Sequence, residues 1–146
     1  MTVPRVLIIH GDRWARRFLS RVLEDSCDLS LAEDEAEALS WLTAERFDVV
    51  LSDVHVAASG AAPFAATLEA TSPGAEVILV AGAREGERCE DLRACGVLEC
   101  LPDAFDPDSV TRALQRAIDR KALRAEIERL REELHRARDG QSSWQA

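Results

Sequence analysis

The chain has 146 residues, 47% hydrophobic and 31% charged, which is enough for one domain with a packed core. Its net charge of −9 is carried by residues 1–105, so nucleic acid is not expected as a partner. No apolar run approaches the ~20 residues of a membrane helix, and the opening residues lack a signal-peptide pattern, so we expect a cytoplasmic protein without membrane contact.

The first third of the chain alternates apolar runs with amphipathic stretches. Residues 5–9 form an uninterrupted β-branched run, typical of a strand that is buried on both faces. Asp12 is predicted to cap a helix whose apolar residues recur every three or four positions. A weaker strand follows at residues 29–32, and a second helix is predicted over residues 34–46.

The same alternation continues to the end of the predicted sheet. A third strand over residues 47–52 ends at Asp53, and an apolar helix follows at residues 61–71. A fourth strand is predicted over residues 76–80, and a fourth helix over residues 85–94. The remaining elements are a fifth strand over residues 97–101 and a last helix with Asp106 as its N-cap and Pro107 at its first position.

Five strands alternating with five helices predict a parallel sheet covered by helices on both faces. In such a sheet, ligands and chemistry are found at the carboxyl ends of the strands. The residues that follow strands are therefore the candidates for a functional site.

From residue 4 to about residue 118, the sequence resembles the receiver domain of two-component response regulators. The resemblance rests on four segments in the expected order and spacing: RVLIIHGD, FDVVLSDV, PGAEVILVAG and GVLECLPDAFDPDSV. It implies a flavodoxin-like, doubly wound, five-stranded parallel sheet with strand order 2-1-3-4-5. It also implies signalling by protein contact rather than enzymatic turnover.

The resemblance implies a phosphoryl site as well, but most of its residues are replaced. Such a site needs an acid pair for a divalent cation, an acceptor Asp, a hydroxyl group and a lysine. Only the acceptor position, Asp53, is kept. His10 and Gly11 replace the acid pair, Ala81 replaces the hydroxyl residue, and Asp103 replaces the lysine. Cys100 stands where the family has an aromatic residue in the fifth strand that reports the change. We therefore expect little affinity for Mg²⁺, no other cofactor, and slow or absent phosphorylation.

Several interpretations of the site stay open. Asp53 is either a phosphoacceptor or a strand-end carboxylate that pairs with His10. Asp12 is favoured as a helix cap, although it also matches a commonly polar third position of the pocket. Together with Asp103, these side chains would suit a transition metal such as zinc or manganese; a metal-free cluster of hydrogen bonds is the favoured alternative. The only lysine, Lys121, is predicted not to reach the carboxyl ends of the strands.

Tryptophans and cysteines are interpreted as packing residues. Trp14 and Trp41 are predicted to lie against the core from helix faces, and Trp144 falls in a polar tail. No cysteine pair has metal-ligand spacing. The four cysteines predicted to act as small buried hydrophobes are Cys27, Cys89, Cys95 and Cys100.

The last helix is predicted to continue to about Arg138, well beyond the body of a receiver. Its apolar residues alternate at four and three, which predicts the a/d seam of a parallel coiled-coil dimer. A solvated single helix is the alternative. The seam residues are Leu123, Ile127, Leu130, Leu134 and Ala137, and the predicted g–e pairs between chains are Asp119–Arg124, Glu126–Arg131 and Glu133–Arg138.

These patterns together predict a receiver-like domain at residues 1–120, a coiled-coil extension at 121–139 and a polar tail at 140–146. We expect a dimeric pseudo-receiver adaptor that binds a kinase or a downstream signalling protein through its fourth and fifth helices. The alternatives are a phosphorylation-dependent response regulator that uses Asp53, and the regulatory fragment of a transcription factor.

Overall fold

A computed structural model describes residues 3–53, 61–80, 99–101 and 106–144 of the chain. Short strands alternate with helices, as the sequence predicts, and one long helix closes the chain. None of the helices in the described ranges is long and apolar enough to cross a bilayer. In chain order the elements are β1 (Arg5–Ile9), α1 (Arg13–Leu23), β2 (Asp28–Ala32), α2 (Glu35–Ala44), β3 (Val49–Asp53), α3 (Ala61–Thr71), β4 (Glu76–Val80), β5 (Glu99–Leu101) and the C-terminal helix (Pro107–Trp144).

The sheet is parallel, and its strands lie in the order β2-β1-β3-β4-β5. Alternation along β1 supplies both faces of the core, because successive side chains of a strand point to opposite sides. Val6 and Ile8 belong to one buried cluster, with residues of α1 and the C-terminal helix. Leu7 and Ile9 belong to the other, with residues of α2 and α3. The predicted flavodoxin-like parallel sheet is thereby confirmed.

The far edge of the sheet is only partly described. The strand predicted over residues 97–101 is seen as the short β5, which pairs in parallel with β4. The helix predicted over residues 85–94 lies outside the described residues, as do Ala81 and Asp103.

Two of the predicted helix starts show the expected capping. The Asp12 carboxylate accepts a hydrogen bond from the backbone N–H of Trp14 at 2.9 Å. Asp106 accepts from the N–H of Asp108 at 3.1 Å and from the Ser109 hydroxyl at 2.7 Å. The Ser109 hydrogen bond, followed by those of the backbone N–H groups, lowers the pKa of Asp106 and so keeps the cap ionised.

The prediction that Trp14 packs against the core is wrong, because its side chain is 73% exposed. The buried stripe of α1 is formed by Ala15, Leu19 and Leu23, which turns Trp14 towards solvent. Trp41 does pack, lying partly buried against the second cluster while its indole N–H donates to the Leu31 carbonyl at 3.0 Å.

Cys27 is buried in the first core cluster as a free thiol, as predicted for a small hydrophobe. Burial raises the pKa of its thiol, and the hydrogen bond with Ser26 only partly offsets this effect. The other three cysteines lie at positions whose side chains are outside the described part of the structure.

The C-terminal helix packs on the sheet through its first turns and then extends past it. Its buried residues are Val110, Ala113, Leu114 and Ala117. The helix extends to Trp144 rather than to about Arg138, so residues 140–144 of the predicted polar tail are helical. Glycine at position 140 lowers helix propensity by about 1 kcal/mol but keeps its backbone N–H, and no proline follows to break the ladder.

Charged side chains attach the start of this extension to the amino ends of the strands. The Lys121 ammonium lies 2.6 Å from the Asp48 carboxylate, just before β3. Glu76, at the start of β4, is 3% exposed; its oxygens lie 3.0 Å from Arg124 Nη1 and 3.8 Å from Arg120 Nε. Lys121 therefore lies at the end of the sheet opposite to the carboxyl ends of the strands. This agrees with the prediction that it does not reach them.

Asp48→Asn is expected to lower stability near neutral pH but not in strong acid. Burial alone raises the pKa of Asp48, but the backbone N–H of Arg5 and the Lys121 ammonium outweigh it, so this pKa lies below its ordinary value. The stabilisation is therefore complete above that ordinary value and is lost as the pH falls through the folded-state pKa. Because Asp48 and Lys121 are each about one-third exposed, we expect about 1 kcal/mol or less.

Urea unfolding of wild type and Asp48→Asn at about pH 7 and about pH 2 measures this difference. Asp28→Asn is the matched control, because Asp28 is 64% exposed and lies 3.6 Å from Arg5. An Asp48→Asn deficit of the same size at both pH values would contradict the assignment.

Candidate functional site

The candidate site lies where β1 and β3 end side by side. The two strands are in register from Val6 opposite Val49 to Ile9 opposite Ser52. His10, the residue after Ile9, is thus brought next to Asp53, the last residue of β3. Asp53 is also paired with Val80 of β4, so Ala81 directly follows a residue beside the acceptor position.

His10 and Asp53 face each other without a hydrogen bond. The distance from His10 Nδ1 to the nearer Asp53 oxygen is 3.9 Å, and both side chains are about 85% buried, with exposures of 15% and 16%. His10 Nδ1 instead accepts a hydrogen bond from the backbone N–H of Asp12 at 3.0 Å. In this contact, Nδ1 is the acceptor.

Asp12 serves the helix rather than the pocket. One carboxylate oxygen accepts from the Trp14 N–H, while the backbone carbonyl of Asp12 accepts from the N–H of Arg16 at 3.1 Å. The interpretation of Asp12 as a cap therefore matches the structure. Gly11, between His10 and Asp12, offers no side chain, although a Cβ there would meet nothing closer than the Glu33 carbonyl at 4.0 Å.

One charged residue near the site was missed by sequence reasoning. Arg16, one turn into α1, donates from Nη1 to the His10 backbone carbonyl at 2.6 Å and is partly buried. A guanidinium therefore lies against the carboxyl end of β1. The only sequence signal was its spacing of four residues from the cap, which turns Arg16 back towards the end of the strand.

The described donors do not form the oxygen-rich set that Mg²⁺ prefers. The His10 side chain offers nitrogen, and its Nδ1 already accepts a hydrogen bond. Gly11 has no side-chain ligand atom, and one Asp12 carboxylate oxygen is used as the cap of α1. Within the described ranges, no group of three His, Cys, Asp or Glu side chains is placed to hold a metal ion. The fourth residue of the alternative transition-metal cluster, Asp103, lies outside those ranges.

The predicted dimer seam is exposed along the C-terminal helix. Leu123, Ile127, Leu130 and Leu134 are 64%, 47%, 50% and 53% exposed. Most residues of the predicted g–e pairs contact groups of their own chain. Glu126 and Glu133 contact Arg129, and Arg131 lies 3.7 Å from Glu128.

Arg124 differs from the other flanking residues of the seam. It was predicted to pair with Asp119 of a second chain, but here it contacts the buried Glu76 of its own sheet. Arg124 comes seven residues after the buried Ala117, so it continues the body-facing stripe of the helix and reaches the buried Glu76.

Comparison with known proteins agrees with this fold. The family profile of the response regulator receiver domain matches residues 6–115. A response regulator receiver protein of Anaeromyxobacter is 30% identical over 99 residues, which are 67% of this chain and 42% of that protein. The chain thus spans less than half the length of this relative.

Solved structures with at most 18% identity share the architecture. A CheY-like receiver domain protein of Methanospirillum hungatei superposes with a TM-score of 0.76, covering 84% of this chain and 99% of that one. A protein described as an adenylate cyclase of Rhodopirellula baltica gives 0.78 at 18% identity, covering 88% and 97%. NtrX of Brucella abortus gives 0.82 at 17% identity, covering 88% of this chain but 30% of NtrX.

Proposed function

The chain belongs to the response regulator receiver family of two-component signalling, and we propose that within it the chain is a pseudo-receiver: a dimerising adaptor whose partner binding does not depend on phosphorylation. In this proposal it acts in the cytoplasm by binding a kinase or a downstream signalling protein rather than by catalysis. No nucleic acid or membrane is required.

The observation that carries the proposal is that the two acid-pair positions after β1 hold no carboxylate. His10 Nδ1 accepts from the Asp12 N–H, Gly11 has no side-chain ligand atom, and one Asp12 carboxylate oxygen caps α1. A cation cradle of two carboxylates is therefore missing beside Asp53, and an Asp without such a cradle is a poor phosphoryl acceptor.

The sequence adds a second argument from charge. Asp103 stands where the resemblance implies a lysine, so a carboxylate replaces the cation that would neutralise a phosphoryl group. At ~4 Å and an effective dielectric constant near 20, one pair of unit charges is worth about 4 kcal/mol, so reversing the sign strongly disfavours the phosphorylated form. Arg16 offsets part of this effect, but its guanidinium is engaged by the His10 carbonyl.

We expect no stoichiometric response to a phosphoryl donor or to a phosphoryl analogue. Wild-type protein is incubated with Mg²⁺ and either acetyl phosphate or beryllofluoride, and intact mass and Trp fluorescence are recorded. The matched comparison is a triple variant, His10→Asp, Gly11→Asp and Asp103→Lys, which restores the acid pair and the lysine; position 11 has room for the new side chain. We expect the triple variant to respond at least tenfold more than wild type, and not after further Asp53→Ala.

The same experiment tests the alternative, in which Asp53 is the phosphoacceptor of an ordinary switch. A stable acyl phosphate on wild-type Asp53 would establish that alternative and remove the pseudo-receiver proposal. The 16% exposure of Asp53 leaves its carboxylate accessible enough for the comparison to be meaningful.

Dimerisation is proposed from the exposed seam on the C-terminal helix. Four large aliphatic side chains line one stripe of a helix that is otherwise rich in charge. Ile at a and Leu at d favours two parallel strands, and the surface pairs within each chain are weak enough to exchange for pairs between chains. Because Arg124 is paired with Glu76 of its own chain, the seam is expected to use two g–e pairs, Glu126–Arg131 and Glu133–Arg138.

A further inference from the structure

The C-terminal helix continues through residues that the sequence alone assigns to a polar tail, and it ends at Trp144. Trp144 follows Ala137 by seven residues, just as Ala137 follows Leu130. Because all of these positions lie on one continuous helix, Trp144 takes the next d position of the seam and Gln141 takes the next a position. The seam therefore extends by one further heptad, which was not predicted from the sequence.

The local sequence does not favour a helix at this end of the chain. Asp139, Gly140, Ser142 and Ser143 all have lower helix propensity than alanine. Residues 122–140 are exposed, so the body of the domain offers this end of the helix no packing surface. The last turns of a helix fray where nothing packs against them, and most helical stability in proteins comes from such packing. Contact with a second chain would supply the missing support.

From this register we infer that Trp144 belongs to the interface between two copies of this chain, where it packs against Trp144 of the second copy. The inference rests on the proposed dimer and names the residue that holds its C-terminal end. In a parallel two-stranded coil, residues at the same d position face each other across the axis. Two indole rings that meet in this way bury a large apolar area and gain from ring-to-ring contact.

The rest of the last heptad makes Trp144 the main source of its stability. The preceding d residue, Ala137, is small, and the g position is Gly140, so no g–e ion pair is available there. Gln141 at the a position is polar, which costs stability but favours the register in which it meets its own copy. We therefore expect Gln141 to help to fix the register and Trp144 to supply most of the apolar burial of this heptad.

A second copy suits this surface better than an unrelated partner. Trp144 continues the row of exposed Leu and Ile side chains of the seam without a change of spacing. The charges that flank this row are complementary between parallel copies, with Glu126 and Glu133 at g positions and Arg131 and Arg138 at e positions. An unrelated partner would not be selected by this self-complementary pattern.

Sedimentation equilibrium over a range of protein concentrations measures the dissociation constant of the full chain and of its variants. Trp144→Ala is expected to raise this constant about a hundredfold, because both copies lose a large apolar side chain from the interface. Trp144→Leu should stay within about fivefold of wild type, since Leu at d also favours a parallel dimer. Ser143→Ala, at the neighbouring c position, is the matched truncation and should change nothing.

The a position gives a test in the opposite direction. Gln141→Leu is expected to lower the dissociation constant about tenfold, because it replaces a polar layer of the coil by an apolar one. Ser143→Leu introduces the same side chain into the same turn but away from the seam, and it should leave the constant unchanged. Both changes place leucine in this turn, so contact with the second copy is what distinguishes them.

Fluorine NMR of protein labelled with fluorotryptophan reports the contact directly. The three tryptophans give three signals, and Trp144→Phe identifies the one from Trp144. On dilution through the dissociation constant, the Trp144 signal should shift, whereas those of Trp14 and Trp41 on the body should not. Circular dichroism confirms that each variant keeps the fold.

The outcomes separate this inference from the proposal on which it rests. A wild-type chain that dimerises, while Trp144→Ala keeps the same dissociation constant, would overturn the inference and leave the proposed dimer intact. Equal effects of Gln141→Leu and Ser143→Leu, or a Trp144 signal that dilution does not move, would also overturn it and leave Trp144 to another partner. A chain that is monomeric at every concentration would overturn both.

Discussion

Arg120→Ala combined with Arg124→Ala is expected to lower the free energy of unfolding by about 3 kcal/mol, although both arginines are about half exposed. The reason lies in their partner. Glu76 is 3% exposed at the start of β4, and these two guanidinium groups are the cations whose contacts with it the structure shows. Truncating both leaves a carboxylate buried without a countercharge, which costs far more than the loss of an exposed pair.

Urea denaturation at fixed protein concentration measures the effect. Arg129→Ala is the matched control on the same helix, since it removes exposed pairs worth less than about 1 kcal/mol. Adding Glu76→Gln to the Arg120→Ala/Arg124→Ala variant should recover part of the lost stability, because the loss arises from the buried, unpaired carboxylate of Glu76. If the control lost as much, or Glu76→Gln recovered nothing, Glu76 would not be the source of the loss.

Leu130→Asp is expected to convert the proposed dimer into a monomer at tens of micromolar protein. Each chain would lose about 2 kcal/mol of apolar burial and would place a carboxylate opposite its copy. Two such losses raise the dissociation constant by roughly a thousandfold. The body should stay folded, because Leu130 is 50% exposed in the single chain and contributes to neither core cluster.

Light scattering after size exclusion gives the mass in solution. Ala122→Asp, which introduces the same side chain at an exposed position of the helix outside the seam, should leave the dimer intact. A wild-type chain that is monomeric at this concentration, and whose mass Leu130→Asp does not change, would refute dimerisation through the seam. Because Arg124 serves Glu76, Arg120→Ala with Arg124→Ala should weaken the dimer far less than Leu130→Asp.

The sequence by itself determined the features that depend on near neighbours along the chain. Apolar runs such as residues 5–9 predicted strands buried on both faces, and their alternation with helices predicted the parallel sheet. Asp12 and Asp106 were predictable as caps because a cap bonds to backbone groups two or three residues away. The exposed Leu and Ile stripe of the C-terminal helix was visible for the same reason, as a repeat of short period.

Only the tertiary structure decided the features in which distant residues meet. Whether Trp14 is buried depends on which sector of α1 the sheet covers, and that sector excludes it. Lys121 reaches Asp48 across 73 positions, and Arg124 reaches Glu76 rather than a second chain. Periodicity shows which side of an element is apolar, but a charged side chain finds its partner through the packing of whole elements, which no local pattern encodes.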